Sequence, residues 1–144
     1  MGLSQPVVAA LHGYVFGSGI EMAMCCDIRI AADDCVFGLP EVALGFIPAA
    51  GATQTVPRTI GPGYALDLML NGGRVNAREA LKIKLVNRIV PRSGLLPAAE
   101  EMAALIAGYN PHLVHALKET VSRGLDLPLP EALALERRNR VLTG

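Results

Sequence analysis

From Pro6 to Asp34 the chain reads PVVAALHG, GYVFGSG, IEMAMCC and DIRIAADD, four short blocks of different hydrophobic pattern with no polar linker between them. The first is a β-branched and small run closed by Gly13, which predicts a fully buried strand. GYVFGSG reads as a glycine turn, and IEMAMCC, apolar without strict alternation, as a short buried helix opening at Gly19. In DIRIAADD, Ile28 and Ile30 point one way and Arg29 the other, so a second strand follows. Strand, turn, helix and strand in so short a stretch make a βαβ unit, which predicts an α/β fold with a parallel sheet covered by helices.

Beyond it, VFGLPEVALGFIPAAGATQ is rich in glycine and proline and predicts a loop with a short helical turn, the kind of segment that often carries function. Residues 52–59 and 63–70 predict helices, the second stopped by Asn71-Gly72-Gly73. Asn76 with Glu79 three residues on is a capping-box pattern opening AREALKIK, and VNRIVP predicts a short strand. From Leu95 onward the pattern is helical. Leu95, Ala98, Ala99, Met102 and Ile106 share one face, and Leu113, Val114, Leu117 and Val121 a second. A third helix over 131–141 carries Ala132 and Leu135, with Leu142 just beyond; all three stripes predict core packing. With no repeat or linker in its 144 residues, the chain predicts one domain, an α/β part over 1–92 and a helical part over 93–144.

Charge excludes some partners. Thirteen basic residues balance thirteen acidic ones, so nothing marks nucleic acid or an anionic membrane as a target, and Arg137, Arg138 and Arg140 read as a solvated helix face. Residues 7–26 are apolar enough to suggest a membrane span, but His12, Glu21 and three glycines interrupt them. The start MGLSQP has neither a basic leader region nor a myristoylation pattern. Cys25, Cys26 and Cys35 lack metal-site spacing and predict small core residues in a reducing, cytoplasmic setting. His112 and His115 read as a surface pair without a third ligand, so no metal is predicted. At 51% hydrophobic and 18% charged, the surface is short of charge, which predicts contact with another subunit or a further segment.

Two glutamates carry the chemistry. A glycine turn feeding a helix leaves backbone N–H groups unpaired at the helix's positive end, where a phosphate or a developing oxyanion can bind. Gly17-Ser18-Gly19 is such a turn, although Met22 stands where a dinucleotide fingerprint needs its third glycine. Glu21 falls in the first turn of that helix, and Glu41 follows in a Gly-Leu-Pro-Glu loop. Two carboxylates beside an oxyanion-stabilising amide suit the addition or removal of water next to a carbonyl. On spacing alone, Glu21 as a helix cap and Glu41 as a solvated loop residue is the plainer account.

The stretch PVVAALHGYVFGSGIEMAMCCDIRIAADDCVFGLPEVALGFIPAAGATQTVPRTIG closely resembles the crotonase superfamily, specifically the enoyl-CoA hydratases, and GRVNAREALKIKLVNRIVP is similar to the family's next segment. The resemblance implies a crotonase-like ββα spiral core followed by a helical region. It implies that the main-chain N–H of Ser18 forms half of an oxyanion hole for a thioester carbonyl. It also implies that Glu21 deprotonates the water attacking the β carbon and that Glu41 delivers a proton to the α carbon. Gly17, Gly19, Pro40 and Ala49 would line the substrate, an acyl-CoA thioester whose coenzyme A is the only cofactor-like group involved. Isomerases of the superfamily often keep only the carboxylate matching Glu41, so the pair favours hydration over isomerisation, hydrolysis or decarboxylation. A homotrimer, often paired into a hexamer, is also implied.

Some features depart from the family pattern. The family is longer, so the chain is expected to be a fragment at both ends, with Met1 an internal methionine, a second oxyanion donor elsewhere and little turnover of its own; an inert oligomerisation subunit is the alternative. Ala49 and Ala52 replace frequent glycines, and the methyl of Ala49 is expected to crowd the catalytic water. Lys84 takes the place of a helix-ending glycine, where a left-handed backbone costs a side chain about 1 kcal/mol.

Overall fold

The computed structural model describes residues 3–142, with no side-chain detail for the last two; Met1 and the side chain of Leu142 lie outside the described residues. Two ββα turns follow one another. The first is β1 (Val8–Leu11), β2 (Tyr14–Phe16) and α1 (Ser18–Met24); the second is β3 (Ile28–Ala32), β4 (Val36–Gly38), a 3-10 turn at Pro40–Leu44 and α2 (Ala52–Ile60). Then come α3 (Pro62–Leu70), β5 (Arg74–Asn76), α4 (Ala77–Lys82), β6 (Arg88–Val90) and the helices α5 (Leu95–Ala107), α6 (Pro111–Gly124) and α7 (Leu129–Leu142). Among the described residues, 7–101 form one compact unit, and 102–142 with 3–6 form another.

The spiral stacks like strand on like strand. β1, β3 and β6 make a wholly parallel sheet in that order, while β2 and β4 pair in parallel in a second sheet that β5 joins antiparallel. The single sheet expected from the sequence is therefore two, and the supposed turn GYVFGSG contains β2. Strands of three residues are too short to show alternation, which is why β2, β4 and β5 leave no pattern. β1, expected to be fully buried, is only half-buried along its length because it is an edge strand among the described residues.

The core of 7–101 gathers on β3 and α1. Ile30, Ala31 and Ala32 of β3 are inaccessible on both faces, as a central parallel strand requires, and Ile20, Phe37, Leu39, Val56 and Leu85 fill the space around them. Ala52, Val56 and Ile60 line the inner side of α2 at four-residue spacing. Arg29 shares this interior. Its Nε donates to the carbonyl of Leu85 at 2.8 Å and its Nη1 to that of Cys26 at 2.9 Å, while its backbone N–H donates to Asn87 Oδ1. Burial pulls its pKa below the ordinary arginine value, and carbonyl acceptors satisfy the charge.

Local signals in the sequence reappear as geometry. Asn76 and Glu79 exchange both capping-box bonds at the start of α4. Lys84 holds φ +68°, the left-handed conformation expected where a glycine would serve better. Cys35 is a core residue whose thiol burial pushes up to about 11, but Cys25 is exposed, contrary to expectation, because it follows the end of α1 on its outer side. In the C-terminal unit, Asn139 on α7 donates to Thr120 on α6, and Leu135 is buried. The stripe Leu113, Leu117 and Val121 on α6 is exposed rather than packed.

Candidate active site

Gly17 is the corner on which the site turns. It has φ 50° and ψ −117°, a backbone that side-chain-bearing residues rarely adopt, and its N–H donates to the carbonyl of Gly38 at 3.0 Å, tying the corner to β4. A Cβ placed on Gly17 would stand 2.7 Å from Glu41 Oε1. The carboxyl group of Glu41 therefore lies directly against this corner, twenty-four residues away in sequence. Ser18 is exposed and opens α1, so its N–H lies ahead of the first intrahelical donor, the N–H of Glu21, at the helix's positive end.

Glu21 lies within the first turn of α1, its backbone N–H on the carbonyl of Gly17. The side chain is 6% exposed, and its Oε1 accepts from the N–H groups of Ala50 (2.8 Å) and Ala52 (3.2 Å). Ala52 is the first residue of α2, and Gly51 before it has no side chain to cap that helix, so the Glu21 carboxylate does the capping from α1. Glu41 is equally buried at 6%, yet its Oε2 has no hydrogen-bond partner. A buried acceptor left unpaired costs about 1–3 kcal/mol, so the fold sustains at Glu41 a penalty it avoids at Glu21.

The structure thus sets Glu41 against the Gly17 corner from which Ser18 and Glu21 follow in α1. Gly19 is half-buried inside α1, where a Cβ would meet Val15 at 3.5 Å; Pro40 opens the turn that carries Glu41; Ala49 is exposed in the following loop. The N–H groups reaching Glu21 belong to Ala50, which nothing in the sequence marks, and to Ala52, noted there only as replacing a frequent glycine; a main-chain donor leaves no mark in residue type. His112 and His115 are exposed, and no group of three metal-ligating side chains occurs among the described residues. No described helix is long and apolar enough to cross a membrane.

The candidate site thus holds a buried carboxylate fixed by two amides and, against the glycine corner that opens α1, a second one whose Oε2 lacks a hydrogen-bond partner. Residues 1–143 match the sequence model of the family described as enoyl-CoA hydratase/isomerase. The chain belongs to that family. A crotonyl-CoA hydratase from Syntrophomonas wolfei is 40% identical over 134 residues, covering 93% of this chain and 52% of the relative. A short-chain-enoyl-CoA hydratase from Clostridium acetobutylicum is 42% identical over 134 residues, with 93% and 51% covered. Among solved structures, an enoyl-CoA hydratase from Bacillus anthracis superposes with a TM-score of 0.94 at 41% identity, covering 96% of this chain and 54% of that one. The fold is the crotonase fold, as the resemblance implied. The chain spans about half the length of the curated relatives it matches.

Proposed function

We propose that Glu21, Glu41 and the N–H of Ser18 form the catalytic part of a site that adds water across the double bond of a 2-enoyl-CoA thioester. The observation that carries this reading is the contact of Glu41 Oε1 with the Gly17 corner, one helical turn from the buried carboxylate of Glu21. The thioester carbonyl takes the Ser18 N–H, which stabilises the oxygen as it becomes enolate-like. Glu21, held by Ala50 and Ala52, orients a water and takes its proton as the oxygen attacks the β carbon. Glu41, whose Oε2 no protein group engages, protonates the α carbon. The hydroxyl thus ends on the β carbon and the proton carried by Glu41 on the α carbon, the proton taken by Glu21 passes back to Glu41 to restore the pair, and coenzyme A serves only as part of the substrate.

Gly17, Gly19, Pro40 and Ala49 shape the surroundings of the thioester in this reading. A homotrimer or hexamer in a reducing cytoplasm belongs to the same proposal, supported by the exposed leucines of α6 and by the free thiols of Cys25 and Cys35. The resemblance assigns one of the two oxyanion donors to Ser18, and losing such a donor costs about 10²–10³ in rate. Crotonyl-CoA hydration, followed as loss of the conjugated thioester absorbance, tests the reading on the chain and on any longer in-frame product of its gene. Glu21→Gln and Glu41→Gln should each lower the rate by about 10² or more. Hydration indifferent to both substitutions, or turnover of other acyl-CoAs without hydration, overturns it.

A further inference from the structure

The loop over 45–51 runs from one carboxylate to the other. At its start Phe46 N–H donates to the backbone carbonyl of Glu41 at 3.2 Å, and near its end Ala50 N–H donates to Glu21 Oε1 at 2.8 Å. Gly45 (φ 85°) and Gly51 (φ 116°) make the two sharp reversals that allow so short a bridge. Between them the loop holds two large apolar side chains in the open, Phe46 at 55% and Ile47 at 71% exposure. Scattered apolar side chains on a surface are ordinary; these two are set apart by their place on the segment that joins the two carboxylates.

The proposed chemistry fixes where that ligand must lie. The two carboxylates act on the α and β carbons, which begin the acyl chain, so the rest of the chain leaves the site from between Glu21 and Glu41. We propose that Phe46 and Ile47 are specificity-determining residues, forming the wall along which the acyl chain beyond the β carbon lies. This rests on the thioester reading given above. The loop acts as a fixed wall, because both of its ends are bonded to the residues it joins.

The test is calorimetric binding of coenzyme A, butyryl-CoA and octanoyl-CoA to the 144-residue chain and to the Phe46→Ala/Ile47→Ala double variant, with circular dichroism confirming the fold. The wild-type chain should bind octanoyl-CoA at least about tenfold tighter than butyryl-CoA, since each buried methylene adds to affinity. In the double variant that ratio should fall to about threefold or less with butyryl-CoA binding nearly unchanged, and Phe46→Leu should retain most of it. An unchanged ratio, or equal loss for both thioesters, overturns the wall while leaving the thioester reading intact. Failure of the wild-type chain to bind any of these thioesters overturns both.

Discussion

The α/β region over 7–101 and the helices over 102–142 show similar hydrophobic periodicity and bury it very differently. In the first, Ile20, Ile30, Phe37 and Val56 are all but inaccessible, packed in layers that close because Ala31 and Ala32 keep the central strand thin. In the second, Leu135 is the only buried residue among those described, while Leu113, Leu117 and Val121 repeat on one face of α6 and remain exposed. Periodicity states which side of a helix is apolar; it does not state what covers that side. The catalytic groups proposed here all belong to the region that holds the buried core.

The contrast can be broken by mutation. Phe37→Ala should have the largest effect, lowering stability in urea unfolding by about 3–5 kcal/mol through the cavity it leaves. A gain is expected at Lys84, where glycine should relieve the left-handed backbone and raise stability by about 1 kcal/mol. Leu117→Ala, on the exposed stripe, should change stability by no more than about 0.5 kcal/mol. A loss at Leu117 approaching that at Phe37 would mean that α6 packs its stripe in solution and that the contrast is false.

Much of the fold was legible because local rules and tertiary structure agree. Asn76 and Glu79 announce the start of α4 and form both bonds of the cap; Asn71 ends α3; Lys84 stands at the position where a glycine was expected and takes a glycine's conformation. What stayed hidden depends on partners distant in sequence. β2, β4 and β5 exist because they pair with one another, not because three residues carry a pattern. Arg29 is held by carbonyls, and Glu21 by the amides of Ala50 and Ala52, none of which residue type reveals. In the site, the two glutamates and Ser18 could be named from the motif they share with the family, while the closeness of Glu41 to Gly17 required the coordinates.

The central claim is that an unsaturated thioester sits among Ser18, Glu21 and Glu41. Titrating crotonyl-CoA into the isotope-labelled chain and following amide resonances tests it most directly. The amides of Ser18, Gly19, Ala50 and Ala52 should shift with a single saturation curve while those of Leu113, Leu117 and Val121 stay in place. Shifts confined to α6, or an unmoved Ser18 amide at saturating thioester, would contradict the account.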